Sequence, residues 1–179
     1  KFTNEPIYHL YYLDTIKNAV RAVSFSTPQT FDIGAFDVWN DSLLYLTITY
    51  STGNSYVNGL FSSVIDDELL STPAPLKINN PDYHIGQPAV SDNGDYLIYV
   101  SKKRDEASPS LLKMVNLNER ASSETYTFPS PINTSFSASY PYLHPSGTLY
   151  FCSLRDSTSI DIFASSDFLN DQPTVHKIS

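Results

Sequence analysis

The chain has 179 residues, of which 41% are hydrophobic and 13% aromatic, and its formal net charge at pH 7 is -8. This length fits one domain, and the apolar content excludes a disordered chain. The negative charge argues against nucleic acids and anionic membrane surfaces as partners, because both bind basic patches. No apolar run is long enough to cross a bilayer, and a single cysteine, Cys152, excludes an internal disulfide.

The N-terminal region predicts half of a structural repeat. Residues 7–14 and 19–25 have the composition of a third and a fourth strand, and no hairpin precedes them. The first residues lack a basic segment followed by an apolar one, so they fit a trimmed mature chain or an excised fragment.

A hairpin pattern recurs three times in the rest of the chain. The copies begin near Phe36, Pro88 and Pro141, about fifty residues apart. In each copy a short apolar strand ends in a polar turn, and a second strand rich in Leu, Tyr, Ile and Phe follows. A fixed period of this length predicts a repeat architecture.

The turn residues support the three hairpins. Asn93-Gly94 and Ser146-Gly147 have the composition of tight hairpin turns, whereas Asn40-Asp41 is a weaker version without glycine. The third strands are predicted at residues 56–65, 111–117 and 160–165, and the fourth at 75–78, 123–128 and 174–178.

Four strands in each period predict the blades of a β-propeller. A β-sandwich also contains many short strands, but it gives no reason for the hairpin to recur at a nearly constant spacing. We therefore expect an all-β chain with a partial blade at residues 1–30 and four-stranded blades at about 31–80, 81–130 and 131–179. These blades form one propeller domain, or a fragment of one.

Two of the copies carry a recognisable motif. Segments 88–101 and 141–153 resemble the PD40, or WD40-like, repeat of bacterial TolB-type β-propellers. Arg104-Asp105 and Arg155-Asp156 follow these segments, and Asp161-Ile162-Phe163 matches the end of the repeat. The resemblance implies a propeller of the six- to eight-bladed type in an exported protein, either periplasmic, cell-surface or secreted.

The first copy departs from this motif. Phe36 replaces its proline, Trp39 replaces its serine, and its turn has no glycine. Its membership therefore depends on position and spacing, and the resemblance covers residues 30–179.

The sequence shows no residue spacing typical of catalysis or metal binding. The histidines, at 9, 84, 144 and 176, are far apart, and no Gly-x-Ser-x-Gly motif occurs. The acidic run 66–68 lacks the alternating pattern of a calcium loop. We therefore predict no enzymatic activity, no cofactor and no metal.

Several other residues have structural interpretations. His144, at the entry of a turn, is expected to form hydrogen bonds there, and Cys152 to be a small buried apolar residue. The two Arg-Asp pairs are expected to join neighbouring blades. The sequons at Asn40 and Asn133 arise easily by chance in a chain rich in Ser and Thr.

These observations predict a non-catalytic binding or scaffolding module that recognises a protein, a peptide or a glycan. In such a fold the loops before the inner strands converge near the channel mouth and offer a docking surface. The candidate contact residues in these loops are Asp32, Tyr83, His84, Gln87, Ser139 and Tyr140.

Two alternatives stay open: an accessory propeller of a larger hydrolase similar to prolyl oligopeptidases, and a structural repeat of a cell-surface assembly. Half a blade and three whole ones leave an apolar blade face without a neighbour. We therefore expect self-association, or further blades from sequence outside this chain.

Overall fold

The computed structural model describes residues 10–27, 31–53, 55–66, 69–104, 106–118, 124–156 and 159–178. Among these residues, no helix is long and apolar enough to span a bilayer. The chain begins with an antiparallel hairpin of β1 (Tyr11–Asp14) and β2 (Ala19–Ala22), followed by β3 (Ser24–Phe25). The predicted strand at 19–25 is thus interrupted at Val23, and the predicted residues 7–9 lie outside the described part.

The first sheet contains the first recurring hairpin. Its strands are β4 (Asp32–Trp39), β5 (Leu43–Thr52), β6 (Ser55–Asp66), β7 (Leu69–Leu70) and β8 (Ala74–Pro75). Strands β4, β5 and β6 are antiparallel neighbours, and both β7 and β8 pair with β6. β3 pairs in parallel with β7, which the sequence did not predict. This pairing attaches the N-terminal segment to the first sheet.

The second and third sheets each have four antiparallel strands in chain order. The second sheet consists of β9 (Tyr83–Val90), β10 (Tyr96–Lys103), β11 (Leu111–Asn116) and β12 (Thr125–Thr127). The third consists of β13 (Ala138–Leu143), β14 (Leu149–Ser153), β15 (Asp161–Ser165) and β16 (His176–Lys177). The three recurring hairpins therefore lie in three separate sheets, as the repeat predicts, and the fourth strands are shorter than expected.

Alternating side chains on each second strand pack the sheets against one another. We call the face of a sheet that points to the next sheet along the chain its forward face, and the opposite one its rear face. On β10, Leu97 and Tyr99 form a cluster with Tyr45 of the first sheet, and Ile98 forms a cluster with Phe151 of the third. The second sheet is therefore buried on both faces.

The rear face of the first sheet has a different cover. Leu44, Leu46 and Ile48 on β5 form a cluster with Val23 and Phe25 of the N-terminal segment. This segment occupies the place that a preceding sheet would take.

The hairpin turns depend on left-handed backbone. Gly94 and Gly147 have φ of 74° and 83°, and their N–H groups donate to the carbonyls of Ser91 and His144. The first turn also uses left-handed backbone but without glycine, and it does so at two consecutive residues, because Asn40 and Asp41 have φ of 50° and 51°. Two consecutive residues with positive φ are what a type I′ turn needs, and Asn and Asp tolerate this conformation.

Two linker asparagines join consecutive sheets. The amide of Asn79 pairs with the backbone N–H and C=O of Leu60 at 2.8 Å each, and Asn133 pairs in the same way with Leu112. Asn133 also donates to the carbonyl of Phe128 at 2.9 Å and is buried. The sequon at Asn133 is thus an internal structural amide.

Candidate functional site

The inner strands β4, β9 and β13 lie next to one another in the same direction. A carboxylate oxygen of Asp37 accepts the N–H of Val90 at 2.8 Å, and Thr47 Oγ1 accepts the N–H of Gln87 at 3.0 Å. The side-chain oxygen of Gln87 accepts the N–H of Tyr140 at 2.7 Å. These contacts join residues at corresponding positions along successive inner strands. The three hairpin turns therefore point to the same side.

Gln87 and Tyr140 each lie in a β-bulge of their inner strand. Gln87-Pro88 lies opposite Tyr99, and Tyr140-Pro141 lies opposite Phe151. Gln87 and Tyr140 have φ of 53° and 50°, which is uncommon for residues other than glycine. A bulge leaves one residue unpaired in its ladder, and the side chain from the preceding sheet satisfies its N–H.

A cleft of about 450 Å³ opens where the three turns converge. Its lining comes from all three sheets: Asp37, Val38, Trp39, Asn40, Val90, Ser91, Asp92, Tyr142, Leu143 and Pro145. Among these described residues there are two carboxylates and no Lys or Arg. The cleft therefore combines acidic groups with exposed apolar and aromatic surface.

Trp39 fixes one wall of the cleft. Its indole Nε1–H donates to the carbonyl of Asp92 at 3.0 Å. The ring also lies against Gly94, where an added Cβ would be 2.4 Å from the indole. The replacement of the motif serine by Trp39 thus creates a contact between the first and second turns.

The two carboxylates of the cleft have different surroundings. One oxygen of Asp37 accepts the N–H of Val38 at 2.9 Å and the other that of Val90, so this carboxylate holds the two inner strands together. Asp92 is exposed, and its backbone carbonyl receives the indole of Trp39. The side chain of Asp92 is therefore the carboxylate that a ligand can reach.

Three of the predicted contact residues, Asp32, Tyr83 and His84, lie at the start of the inner strands β4 and β9, which is the end away from the cleft. His84 Nδ1 accepts the N–H of Asn58 at 3.3 Å, and Lys113 Nζ lies 5.6 Å from the ring centroid of Tyr83. Both side chains thus have structural contacts within the molecule.

Of these predicted residues, Gln87 and Tyr140 are brought into direct contact. Asp32 is exposed at the start of β4, and Ser139 is half-buried and paired with Cys152. A binding role for these six residues stays a prediction. The cleft at the turn end was not predicted, although Trp39 in place of the motif serine was an available signal in the sequence.

Other sequence candidates have structural contacts. His144 Nδ1 accepts the N–H of Ser146 at 3.1 Å, which is the expected turn contact. Cys152 is half-buried, and burial raises the pKa of its thiol.

The arginines bind differently from the prediction. Arg155 donates to the carbonyls of Pro131 and Ile132, and Arg104 donates to that of Pro81 at 3.0 Å. Each therefore ties the end of a second strand to the linker that enters its own sheet, instead of forming a pair between blades. Asp105 lies outside the described residues.

In the described ranges, no three His, Cys, Asp or Glu side chains are close enough together to hold a metal ion. Two residues of the acidic run, Asp67 and Glu68, lie outside those ranges.

No protein-family model matches the chain, and neither does any curated protein. Among solved structures, it is similar to a putative TolB from Agrobacterium tumefaciens, with a TM-score of 0.52 and 13% sequence identity. The match covers 97% of this chain and 74% of that chain. At this identity the likeness shows the fold alone, which is all-β and TolB-like.

Proposed function

We propose that the protein is a non-catalytic binding module that holds a segment of a partner protein in the cleft at the turn end of its inner strands. Its three sheets act as consecutive blades of a TolB-like β-propeller, in an exported protein. The observation that carries this proposal is the cleft itself, which all three sheets line. A concave surface that brings polar groups and aromatic side chains together is the usual form of a binding site.

The chemistry of the cleft favours a basic, extended segment. Asp92 offers an exposed carboxylate, and Trp39 and Tyr142 offer aromatic surface to the methylene groups and the charge of a Lys or Arg side chain. The net charge of -8 steers a cationic partner toward the protein. An acidic segment would meet like charge at the same place.

Binding to arrays of short peptides sorted by net charge tests the proposal, with fluorescence anisotropy for the best binder. We expect basic peptides to bind and acidic ones to fail. The double variant Asp92→Asn, Tyr142→Ser should weaken binding by a factor of about 30, since an aromatic and a charge at the centre of an interface carry most of its energy. Binding should also weaken as salt is added.

A matched variant at the opposite end separates the two candidate surfaces. Asp32→Asn with Tyr83→Ser makes the same chemical changes among the residues that the sequence predicted, and should leave affinity unchanged. If this variant loses binding and the cleft variant retains it, the partner docks at the strand starts. If no peptide of either charge binds, the alternative of a structural repeat is favoured.

A further inference from the structure

The cleft contains three equivalent backbone N–H groups, one from each inner strand. They belong to Val38, Val90 and Leu143, which all line the cleft. Each of these residues lies opposite the matching leucine of its second strand: Leu44, Leu97 or Leu149. The three N–H groups therefore have the same position in their repeats.

The N–H of Leu143 points away from its own sheet. The next residue, His144, donates its N–H to the carbonyl of Thr148 at 2.9 Å. Hydrogen-bonded and non-hydrogen-bonded pairs alternate along an antiparallel ladder, so Leu143 and Leu149 exchange no backbone hydrogen bond. β13 is the edge strand of its sheet, and the N–H of Leu143 points out of this edge.

One carboxylate accepts the equivalent N–H groups of the other two inner strands. Asp37 Oδ1 accepts the N–H of Val38 at 2.9 Å, and Asp37 Oδ2 accepts that of Val90 at 2.8 Å. In the second sheet the position of Asp37 is occupied by Ala89, which comes directly before Val90 and has no acceptor in its side chain. The second sheet therefore cannot repeat this contact toward the third.

Among the described residues, the N–H of Leu143 has no hydrogen-bond acceptor. Tyr142 precedes it without a carboxylate, and Ala89 of the neighbouring sheet offers only a methyl group. Leu143 is 9% exposed, so its N–H has little access to water except through the cleft. An unpaired donor in such a place has a free-energy cost that a ligand acceptor removes.

The surroundings of this N–H favour an uncharged acceptor. Asp37 and Asp92 line the same cleft, so a carboxylate bound at Leu143 would meet two like charges. A peptide carbonyl would accept the same hydrogen bond without this repulsion. Tyr142 and Pro145 provide apolar surface next to it for the rest of a peptide.

We propose that the N–H of Leu143 donates to one backbone carbonyl of the segment that docks in the cleft. This inference rests on the proposed function and adds the point at which the main chain of the segment is held. The ligand carbonyl takes the place at Leu143 that Asp37 has at Val90. The third sheet thus holds the main chain, and Asp92 of the second sheet attracts a basic side chain.

Amide hydrogen exchange, followed by NMR, tests the unpaired N–H in the free protein. The N–H of Leu143 should exchange at least tenfold faster than that of Val90, which has an acceptor within the molecule. Asp37→Ala should accelerate exchange at Val38 and Val90 and leave Leu143 unchanged. If Leu143 exchanges as slowly as Val90 in the parent chain, its N–H has an internal acceptor and the proposal is overturned.

Titration with N-methylacetamide tests the acceptor separately from the charge of the segment. This probe has one peptide carbonyl and no charge. The amide proton of Leu143 should shift downfield more than those of Val38 and Val90, and acetate at the same concentration should shift it less. Equal shifts at the three residues, or a larger shift with acetate, would overturn the proposal.

Ala89→Asp gives the second sheet a counterpart of Asp37. Its carboxylate should slow exchange at Leu143 at least tenfold and weaken the best basic peptide at least tenfold, despite the added negative charge. Ala89→Val, which adds volume without an acceptor, should leave the exchange at Leu143 unchanged. Ala89 is 1% exposed, so urea unfolding checks that both variants fold, and the two measurements on the parent chain do not depend on them.

The outcomes separate this inference from the proposed function. If a basic peptide binds without moving the amide proton of Leu143, the cleft holds the segment by its side chains and this inference alone is overturned. If N-methylacetamide selects Leu143 and no basic peptide binds, the carbonyl site is supported and the proposed function is wrong.

Discussion

The second and third sheets have similar sequences and different surroundings. On β10, the consecutive residues Leu97, Ile98 and Tyr99 are all buried, whereas on β14 the buried Leu149 and Phe151 alternate with less buried neighbours. The matching segments 97–101 and 149–153 each contain four apolar or aromatic residues followed by a serine. The difference teaches that the position of a sheet in the array decides its burial, because only a sheet with neighbours on both sides hides both faces.

The largest expected effect compares Leu112 on the third strand of the second sheet, which is fully buried, with Ile162 on the third strand of the third sheet, which is 44% exposed. Leu112→Ala should lower the free energy of unfolding by about 3 kcal/mol, since it leaves a cavity in a packed interior. Ile162→Ala should lower it by about 1 kcal/mol or less, because that side chain is half exposed already. Urea unfolding of the two variants and the parent chain measures both values.

If Leu112→Ala and Ile162→Ala lower the free energy of unfolding equally, the comparison is wrong. Ile162 would then be as well covered as Leu112.

A second comparison concerns the turns of these two sheets. Gly147→Ala should cost about 1 kcal/mol, because alanine is strained at positive φ and nothing lies within 4 Å of the added Cβ. Gly94→Ala should cost about 2 to 3 kcal/mol, since it must also displace the indole of Trp39. Thermal unfolding measures the cost.

Trp39 is the only tryptophan, so its fluorescence reports on the contact directly. The emission maximum should shift in Gly94→Ala and stay unchanged in Gly147→Ala. Identical spectra for the two variants would show that the indole does not depend on the second turn.

The third expected effect is electrostatic, and it develops only at alkaline pH. Burial between the first two sheets raises the pKa of Tyr99 from 10.0 to about 12, and a hydrogen bond with Thr125 lowers it by less. Above pH 10 the unfolded chain releases this proton and the folded chain retains it. The free energy of unfolding should therefore fall by about 2 kcal/mol as the pH rises through this range.

The variant Tyr99→Phe isolates this contribution. Its free energy of unfolding should decline less steeply with pH than that of the parent chain, when both are measured by urea unfolding in alkaline buffers. Parallel pH curves would show that Tyr99 does not control alkaline stability.

The sequence predicted the elements that local chemistry decides. The period near fifty residues and the turns at Gly94 and Gly147 predicted three hairpins in three sheets, which the topology confirms. The hydrogen bond of His144 within its turn was predicted from its place at the turn entry, and the structure contains it. Local preference decides these features, so a single sequence carries enough information.

Contacts between distant segments were not predictable in this way. Asn133 looked like a sequon, because nothing in its neighbours reveals that its amide pairs with Leu112. The parallel pairing of β3 with β7 likewise joins two-residue strands that carry no periodic pattern. The cleft was missed for the same reason, since it exists only once Trp39 and Tyr142 are brought together by packing.

The contacts between the bulges make the three sheets chemically unequal. Gln87 both donates its N–H to Thr47 and accepts the N–H of Tyr140, so the second sheet has a donor at one side and an amide acceptor at the other. The second sheet thus carries both halves of the contact, whereas the first sheet contributes the hydroxyl acceptor of Thr47 and the third contributes the N–H donor of Tyr140. An engineer who wishes to lengthen this array should therefore copy the second sheet, since each new junction would again place a glutamine amide opposite a bulge N–H.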